Sequence, residues 1–206
     1  MEVELKYLIE DKLAQERILQ DQYLQETMQP GSYEEIHMQA TYFDTAKLDL
    51  CAHKMALRVR FENGEPVATL KWGGSSENGL HVRGELNMHV SEEFAHKPDI
   101  EVFAGSDIYE EIAAAAGGKE LLPLMEVEFL RRQLMVDTGR SIDVVSLDLG
   151  QVKTPRGSSD IAELEIELYS GERKDMLALG SRLAAKYNLK TCDISKFQRG
   201  LALLAV

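Results

Sequence analysis

The sequence predicts an α+β domain whose centre is one antiparallel, barrel-like sheet of eight strands with flanking helices. Polar and apolar side chains alternate over eight separate segments, as they do in strands that bury one face. Turn signals join several of these segments directly, and helical patterns occupy the longer gaps between them. Eight strands joined mainly by turns and short helices favour a sheet closed on itself over an open parallel sheet.

The elements follow from the same patterns in chain order. Asn63-Gly64 separates two alternating segments and predicts a tight hairpin, and residues 137–140 predict another turn. Gly117-Gly118 after a run of alanines is typical of a helix C-terminus, and the glycine-rich stretch 73–79 predicts a flexible loop. The strands are expected near residues 2–9, 34–43, 55–62, 66–72, 80–90, 124–136, 141–148 and 160–169. The helices are expected near residues 11–28, 107–116, 171–187 and 193–204.

Composition limits the classes of protein to consider. The 206 residues include 23 lysines and arginines against 35 acidic residues, a formal net charge of −12. This length predicts a single domain over residues 1–206, and the acidic balance argues against nucleic acid or an anionic membrane as partner. No apolar run approaches the ~20 residues of a membrane span, and no signal peptide is visible. Two distant cysteines, Cys51 and Cys192, predict inert thiols in a reduced, cytoplasmic protein.

The charged residues occupy one face of each strand in an unusual way. Acidic side chains alternate in the first strand and again over residues 163–167, whereas basic side chains alternate over 58–60. A solvated face has no reason to separate into acidic and basic strands, because like charges two residues apart repel each other. If the apolar face of a barrel contacts the helices, these charges line its lumen.

The two kinds of strand suit two kinds of ligand. Clustered carboxylates offer the oxygen ligands that hard divalent cations prefer. Alternating arginines can hold phosphate oxygens through paired N–H donors, and a lysine adds a point charge. A complex of a polyphosphate with a metal ion would satisfy both sets at once.

Eight segments, spread from residue 2 to residue 197, resemble the motifs of the CYTH family of triphosphate tunnel metalloenzymes, and they occur in the family's order. They are Glu2-Val3-Glu4-Leu5-Lys6 (ExExK), Tyr42–Thr45 (YFDT), Ala56–Arg60 (ALRxR), Thr69–Lys71 (TLK), Gly79–Glu85 (GLHxRxE), Leu147–Gly150 (LDxG), Glu163–Leu168 (ELExEL) and, at the C-terminus, Ser195–Phe197 (SKF). The resemblance implies an eight-stranded antiparallel barrel that forms a tunnel. It also implies metal-dependent hydrolysis of the terminal phosphate of a triphosphate, with Mg²⁺ or Mn²⁺ as cofactor.

Carried over residue by residue, the resemblance implies a role for each motif. Asp148 would orient basic residues or assist the metal, and Lys196 would enter the tunnel from a C-terminal helix that closes one mouth. Glu4, Lys6 and Lys196 are the expected catalytic residues. The residues expected to hold the triphosphate are Lys6, Arg58, Arg60, Lys71, Arg83, Arg131 and Lys196. The residues expected to hold the metal are Glu2, Glu4, Glu163, Glu165 and Asp148, with Glu85 and Glu167 as further candidates.

Several points stay open at this level. Arg131 and Arg132 are adjacent, so only one of them can face the tunnel. His81 and His89 share the parity of the tunnel-facing residues and are interpreted as structural or rim residues rather than general bases.

The substrate is also open, although the motifs are most similar to those of bacterial inorganic triphosphatases and favour tripolyphosphate. A class IV adenylate cyclase, a thiamine or nucleoside triphosphatase, and a non-catalytic polyphosphate-binding protein remain alternatives. The partner is expected to be a small-molecule triphosphate, and the protein a monomer or a homodimer.

Overall fold

The computed structural model describes residues 1–205, and its centre is the predicted antiparallel barrel. Eight long strands alternate with turns and short helices in nearly the predicted positions. The strands are β1 (Glu2–Leu8), β2 (Glu34–Asp44), β3 (Met55–Glu62), β4 (Glu65–Glu77), β5 (Leu80–His89), β6 (Leu122–Asp137), β7 (Ser141–Thr154) and β8 (Gly157–Gly171). A two-residue strand, β9 (Lys190–Thr191), is added at the edge of β1.

The barrel closes through β1. The strands follow the order β5-β4-β3-β2-β6-β7-β8-β1, and β1 then pairs with β5 to complete the ring. In the register of β1, Glu4 lies opposite Glu167 of β8 and Lys6 lies opposite Glu165. On its other edge, Glu4 lies opposite His81 of β5. This register fixes which charged residues of the three strands meet in the lumen.

Two apolar layers cover the outside of the barrel, because each strand directs every second side chain outward. Helix α6 covers β1, β7 and β8, and residues such as Leu5, Leu164 and Leu183 are buried in this layer. Helices α3 and α5 cover β3 and β4 in a second layer around Leu57 and Phe103. The helices are α1 (Lys12–Arg17), α2 (Gln22–Thr27), α3 (Asp49–Ala52), α4 (Glu92–His96), α5 (Tyr109–Ala116), α6 (Arg173–Tyr187) and α7 (Lys196–Leu204).

Helix α7 packs against the inner, lumen-facing side of β2, β6, β7 and β8. Phe197 stacks on Tyr42 with ring centroids 5.1 Å apart. A Cβ atom at Gly200 would lie 2.1 Å from the sulfur of Met125, so a larger residue there would require the Met125 side chain to move. The lumen is therefore apolar where α7 fills it and charged elsewhere.

Three local predictions need comment. The hairpin at Asn63-Gly64 is confirmed, since both residues have the positive φ angles, 50° and 97°, of its tight turn. The predicted helix 11–28 is instead two helices joined by a 3-10 turn (Ile18–Gln20), because Asp21 leaves the helical conformation and caps α2 through the N–H of Tyr23.

The prediction of a flexible loop over 73–79 is wrong. Gly73 and Gly74 form a bulge with positive φ, after which β4 resumes at Ser75 and pairs with β5 to Glu77.

Among residues 1–205, none of the helices has both the length and the apolar character needed to cross a lipid bilayer.

Candidate active site

The lumen of the barrel contains a cavity of about 580 Å³. Every basic residue that the motifs single out lies in its wall: Lys6, Arg58, Arg60, Lys71, Arg83, Arg131 and Lys196. Arg131 lines the cavity and Arg132 does not, which settles the choice that the sequence left open. Of the expected metal ligands, Glu2, Glu4 and Glu165 line the cavity, as do Glu85 and Glu167.

One half of these charges forms a compact group, here called the buried cluster: Lys6, Arg131, Lys196, Asp148, Glu163 and Glu165. The Lys196 ammonium lies 2.8 Å from Asp148, 2.9 Å from Glu163 and 2.8 Å from Glu165. Arg131 donates two hydrogen bonds to Asp148, at 2.8 and 2.7 Å, and one to Glu165 at 2.5 Å. Asp148 and Glu163 are fully buried, so each depends on these cations for its charge.

The electrostatics of the buried cluster favour the charged forms of Lys196 and Glu165. Burial alone would lower the pKa of Lys196, but Asp148, Glu163 and Glu165 raise it well above its ordinary value. Burial alone would likewise raise the pKa of Glu165, but Lys196, Lys6 and Arg131 lower it well below the usual range. Each of these two groups therefore keeps its charge at neutral pH because of the opposite charges around it.

The other half, here called the open cluster, comprises Arg58, Arg60, Lys71, Arg83, Glu2, Glu4, Glu85 and Glu167. Glu2 accepts hydrogen bonds from Lys71 at 2.9 Å and from Arg83 at 2.7 Å. Glu85 lies 2.5 Å from the Lys71 ammonium. Burial raises the pKa of Glu85, but the positive charges of Lys71 and Arg58 outweigh burial and hold it well below the usual range.

Arg58 is a cation of the lumen with one unsatisfied donor. Its Nε is buried and has no hydrogen-bond partner among the described residues. Burial alone would raise the pKa of Tyr42, but the positive charges of Arg58 and Lys71 lower it below its ordinary value. Arg60, its neighbour on the same face of β3, donates to Thr69 at 3.0 Å and to Glu62. A guanidinium with a free donor facing a cavity is suited to an anionic ligand.

The carboxylates of Glu4 and Glu167 have the character of a cation site. Glu4 Oε1 is buried without a hydrogen-bond partner in the described chain, and its nearest cations, Lys6 and Arg83, are 3.5 and 3.8 Å away. Glu167 is exposed at the lumen mouth. Loss of hydration, together with repulsion from Glu2, Glu4 and Glu85, raises its pKa to about 7.

A divalent cation would relieve both the unpartnered oxygen of Glu4 and this repulsion, so these donors fit Mg²⁺ or Mn²⁺. Within residues 1–205 no three acidic, histidine or cysteine side chains already form a metal-binding group. Glu163, Glu165 and Asp148, expected to hold the metal, are instead paired with lysine and arginine side chains.

The sequence analysis did not single out Tyr42 or Arg199, which the structure places in or beside the site. Tyr42 belongs to a recognised motif, yet nothing in its spacing indicated that it would stack on Phe197 and face Arg58. Arg199 completes the pairing of Glu163, because its guanidinium donates to that carboxylate. Its position three residues after Lys196, on the same helix face, was the signal that could have shown this.

Comparison with known proteins agrees with this geometry. The family model of the CYTH domain matches residues 1–201. A relative from Haemophilus influenzae named inorganic triphosphatase is 29% identical over 163 residues, which cover 79% of this chain and 45% of the relative. The chain therefore spans about half the length of that relative.

Solved structures show the same fold. A Hippeastrum protein, described as a candidate adenylyl cyclase with a dominant triphosphatase activity, superposes with a TM-score of 0.71 at 19% identity, covering 98% of this chain and 96% of that one. A protein from Pyrococcus horikoshii superposes with a TM-score of 0.58 at 22% identity, covering 98% and 99%.

Proposed function

The chain belongs to the CYTH domain family, and on this premise we propose that it is a metal-dependent triphosphatase that removes the terminal phosphate of inorganic tripolyphosphate. The observation that carries the proposal is the set of four basic side chains on β3, β4 and β5 that face one cavity. Among them, Arg58 has a buried Nε with no hydrogen-bond partner among the described residues, so it is the residue we expect to contact a phosphate oxygen. The name of the Haemophilus influenzae relative supports a triphosphate with no organic group.

In this proposal the open cluster binds the substrate. Arg58, Arg60, Lys71 and Arg83 hold the phosphate oxygens and neutralise the charge that spreads over the transferred phosphoryl group. Glu2, which now bridges Lys71 and Arg83, keeps both cations in place until the anion arrives. Glu4 and Glu167 hold Mg²⁺ or Mn²⁺, which supplies positive charge to the phosphate oxygens when it is bound.

The buried cluster positions the remaining groups. Asp148 and Glu165 fix the side chains of Arg131 and Lys196, while Glu165 also holds Lys6, at 3.1 Å. Because these three cations do not move or titrate, they present a constant positive field to the end of the phosphate chain. No serine, cysteine or histidine nucleophile is needed.

The test is to incubate the purified protein with tripolyphosphate, ATP or thiamine triphosphate, each with Mg²⁺ or Mn²⁺, and to resolve the products by phosphorus NMR. We expect orthophosphate and pyrophosphate from tripolyphosphate, formed faster than products of the other two, and no reaction with EDTA. Cyclic AMP and pyrophosphate from ATP would overturn the proposal in favour of a cyclase. Tripolyphosphate binding without any hydrolysis would overturn it in favour of a binding protein.

A further inference from the structure

The short segment between β9 and α7, residues 192–195, delivers Lys196 into the lumen and is held from one side by the β4–β5 hairpin. Ser76 donates a hydrogen bond of 2.8 Å to the carbonyl of Asp193. The N–H of Gly79 donates to the Asp193 carboxylate at 2.6 Å. The imidazole Nε2 of His81 lies 2.8 Å from the carbonyl of Cys192. The hairpin thus grips two consecutive peptide units just before the helix.

The same contact region includes the backbone of the other buried lysine. Lys6 accepts a hydrogen bond at its carbonyl from the N–H of Cys192, at 3.0 Å. The N–H of Lys6 donates to the carbonyl of Gly79, at 2.8 Å. A Cβ atom at Gly79 would lie 2.7 Å from the Lys6 carbonyl oxygen, and this residue has a φ of +80°, so the close approach requires glycine. Lys6 is therefore fixed between the hairpin and the segment that leads to Lys196.

Few residues separate this contact from Lys196, and a capping box fixes the start of α7. Ser195 caps α7 by accepting from the N–H of Gln198, and the Gln198 side chain accepts in turn from the N–H of Ser195. Lys196 is the first residue of the helix, four positions from the carbonyl that His81 contacts. Only three residues separate Cys192 from Lys196, and two of them, Asp193 and Ser195, are held by hydrogen bonds, so a shift of Cys192 would be expected to displace Lys196.

His81 is well suited to hold Cys192. It is buried at 4% exposure, and a carbonyl oxygen only accepts, so Nε2 carries the proton in this contact. Burial lowers the pKa of the imidazole, which keeps it neutral and in one tautomer. A histidine whose Nε2–H is committed to a backbone carbonyl is a fixed donor.

We propose that His81 is a positioning residue that, with Ser76 and Gly79, anchors the segment 192–195 and so sets the places of the Lys196 and Lys6 ammonium groups. The inference rests on the proposed triphosphatase function only for its effect on turnover. The position of Lys196 is a property of the fold and can be measured without any reaction.

The test compares His81→Ala with His81→Gln, whose amide restores an N–H donor near the position of Nε2. His89→Ala is the matched control, because this exposed histidine is on the same strand and shares its parity. We expect His81→Ala to lower kcat for tripolyphosphate about tenfold or more with a smaller change in KM, since a misplaced group costs rate rather than binding. His81→Gln should recover most of this loss, and His89→Ala should change neither constant.

Two further measurements separate positioning from other roles. The NMR signal of the Lys196 side chain, assigned through Lys196→Arg, should shift in His81→Ala and return in His81→Gln. In a Lys196→Ala background, adding His81→Ala should lower kcat by less than it does in the wild-type protein, because only the part of the effect that acts through Lys6 remains. An unmoved Lys196 signal, or full multiplication of the two kcat effects, would overturn the proposal.

The positioning role can still be tested if His81→Ala does not fold or if the wild-type protein shows no activity. If His81→Ala does not fold, Ser76→Ala and Asp193→Ala remove the same anchor from its exposed side, and they should produce the same shift of the Lys196 signal. If the wild-type protein releases no phosphate, the proposed function fails while the Lys196 signal still decides the positioning role.

Discussion

The buried cluster and the open cluster contain the same kinds of side chain, yet they satisfy their charges in different ways. In the buried cluster each carboxylate contacts at least two cations, and Asp148 and Glu163 are completely shielded from solvent. In the open cluster Arg58 Nε and Glu4 Oε1 are buried without hydrogen-bond partners within the described residues. Glu163 Oε2 of the buried cluster also lacks a hydrogen-bond partner among the described residues, but it lies 2.9 Å from the Lys196 ammonium. The charges of the first group are therefore balanced within the protein, whereas the second group leaves Arg58 and Glu4 for a ligand.

The difference shows how one lumen can serve both stability and binding. A buried charge that loses its partner destabilises the fold, so a permanent array must be fully paired. A binding site needs the opposite property, because groups already paired must give up those contacts before they can hold an anion. Changes in the buried cluster should therefore act on stability as well as on turnover, and changes in the open cluster mainly on substrate.

The largest effect is expected for Asp148→Asn, which keeps the shape of the side chain and removes its charge. Arg131 and Lys196 would lose a shared, fully buried partner. The free energy of unfolding should fall by about 3–5 kcal/mol, measured by urea denaturation. Glu62→Gln, a change at a more exposed partner of Arg60, is the control and should cost less than about 1 kcal/mol. Equal losses would remove the distinction between the two clusters.

The next effect is expected for Glu4→Gln. This change removes the charge of an unpartnered carboxylate that we assign to the metal. Turnover of tripolyphosphate should fall by about 10²–10³-fold, because the electrostatic stabilisation of the transition state is lost. The affinity for tripolyphosphate, measured by calorimetry without turnover, should change much less. A loss of affinity as large as the loss of turnover would contradict the assigned role.

Arg58→Ala should affect both properties. The guanidinium faces the cavity with an unsatisfied donor, so its loss should weaken tripolyphosphate binding about tenfold to a hundredfold and lower turnover as well. Stability should change little, because no ion pair of the buried cluster is broken. Arg17→Ala, at an exposed position of α1, is the matched control and should leave affinity unchanged. Loss of stability without loss of affinity would place Arg58 with the structural charges.

The smallest effect concerns a buried carboxylate that forms no ion pair within residues 1–205. Asp143 lies five residues before Asp148 on β7, on the opposite face, and accepts a hydrogen bond from the hydroxyl of Ser141. Burial, with a further contribution from Asp175, raises the pKa of Asp143 to about 6. Since this carboxyl group is harder to ionise in the folded protein, ionisation destabilises the fold as the pH rises from about 4 to above 6.

Asp143→Asn should therefore raise the free energy of unfolding by about 2 kcal/mol at pH 7.5. The gain should shrink as the pH falls below about 6 and vanish below about pH 3, where the aspartate is protonated in both folded and unfolded chains. Denaturation at the two pH values checks this. If Asp143→Asn is instead less stable than the wild-type protein at pH 7.5, the charge of Asp143 has a stabilising partner and burial does not determine the pKa of this carboxyl group.

The alternation of polar and apolar residues was enough to predict the eight strands and the charged side chains that share a face, and the short connections between the strands predicted the barrel. The alternation could do so because a strand has a strict period of two, and a slip by one residue would bury the opposite face. The alternation could not show whether Arg131 or Arg132 faces the lumen. That depends on the register between β6 and β7, which places Arg131 opposite Asp148. The division into two clusters also depends on pairing between distant strands.

Other features were hidden for different reasons. The bulge at Gly73-Gly74 has the composition of a loop, and only the pairing of Ser75 with Val82 shows that the strand continues. The anchor around His81 joins residues more than a hundred positions apart in the chain. The charge of Asp143 could not be interpreted from sequence, since a polar residue in an alternating strand is normally assigned to solvent.

The closure of the barrel through β1 makes the candidate site depend on the topology of the whole chain. Glu4 and Lys6 lie opposite Glu167 and Glu165 of β8, an interval of about 160 residues. Closing such a long loop costs conformational entropy that local contacts do not repay. The first strand and the last helix therefore complete the lumen only together with the rest of the ring.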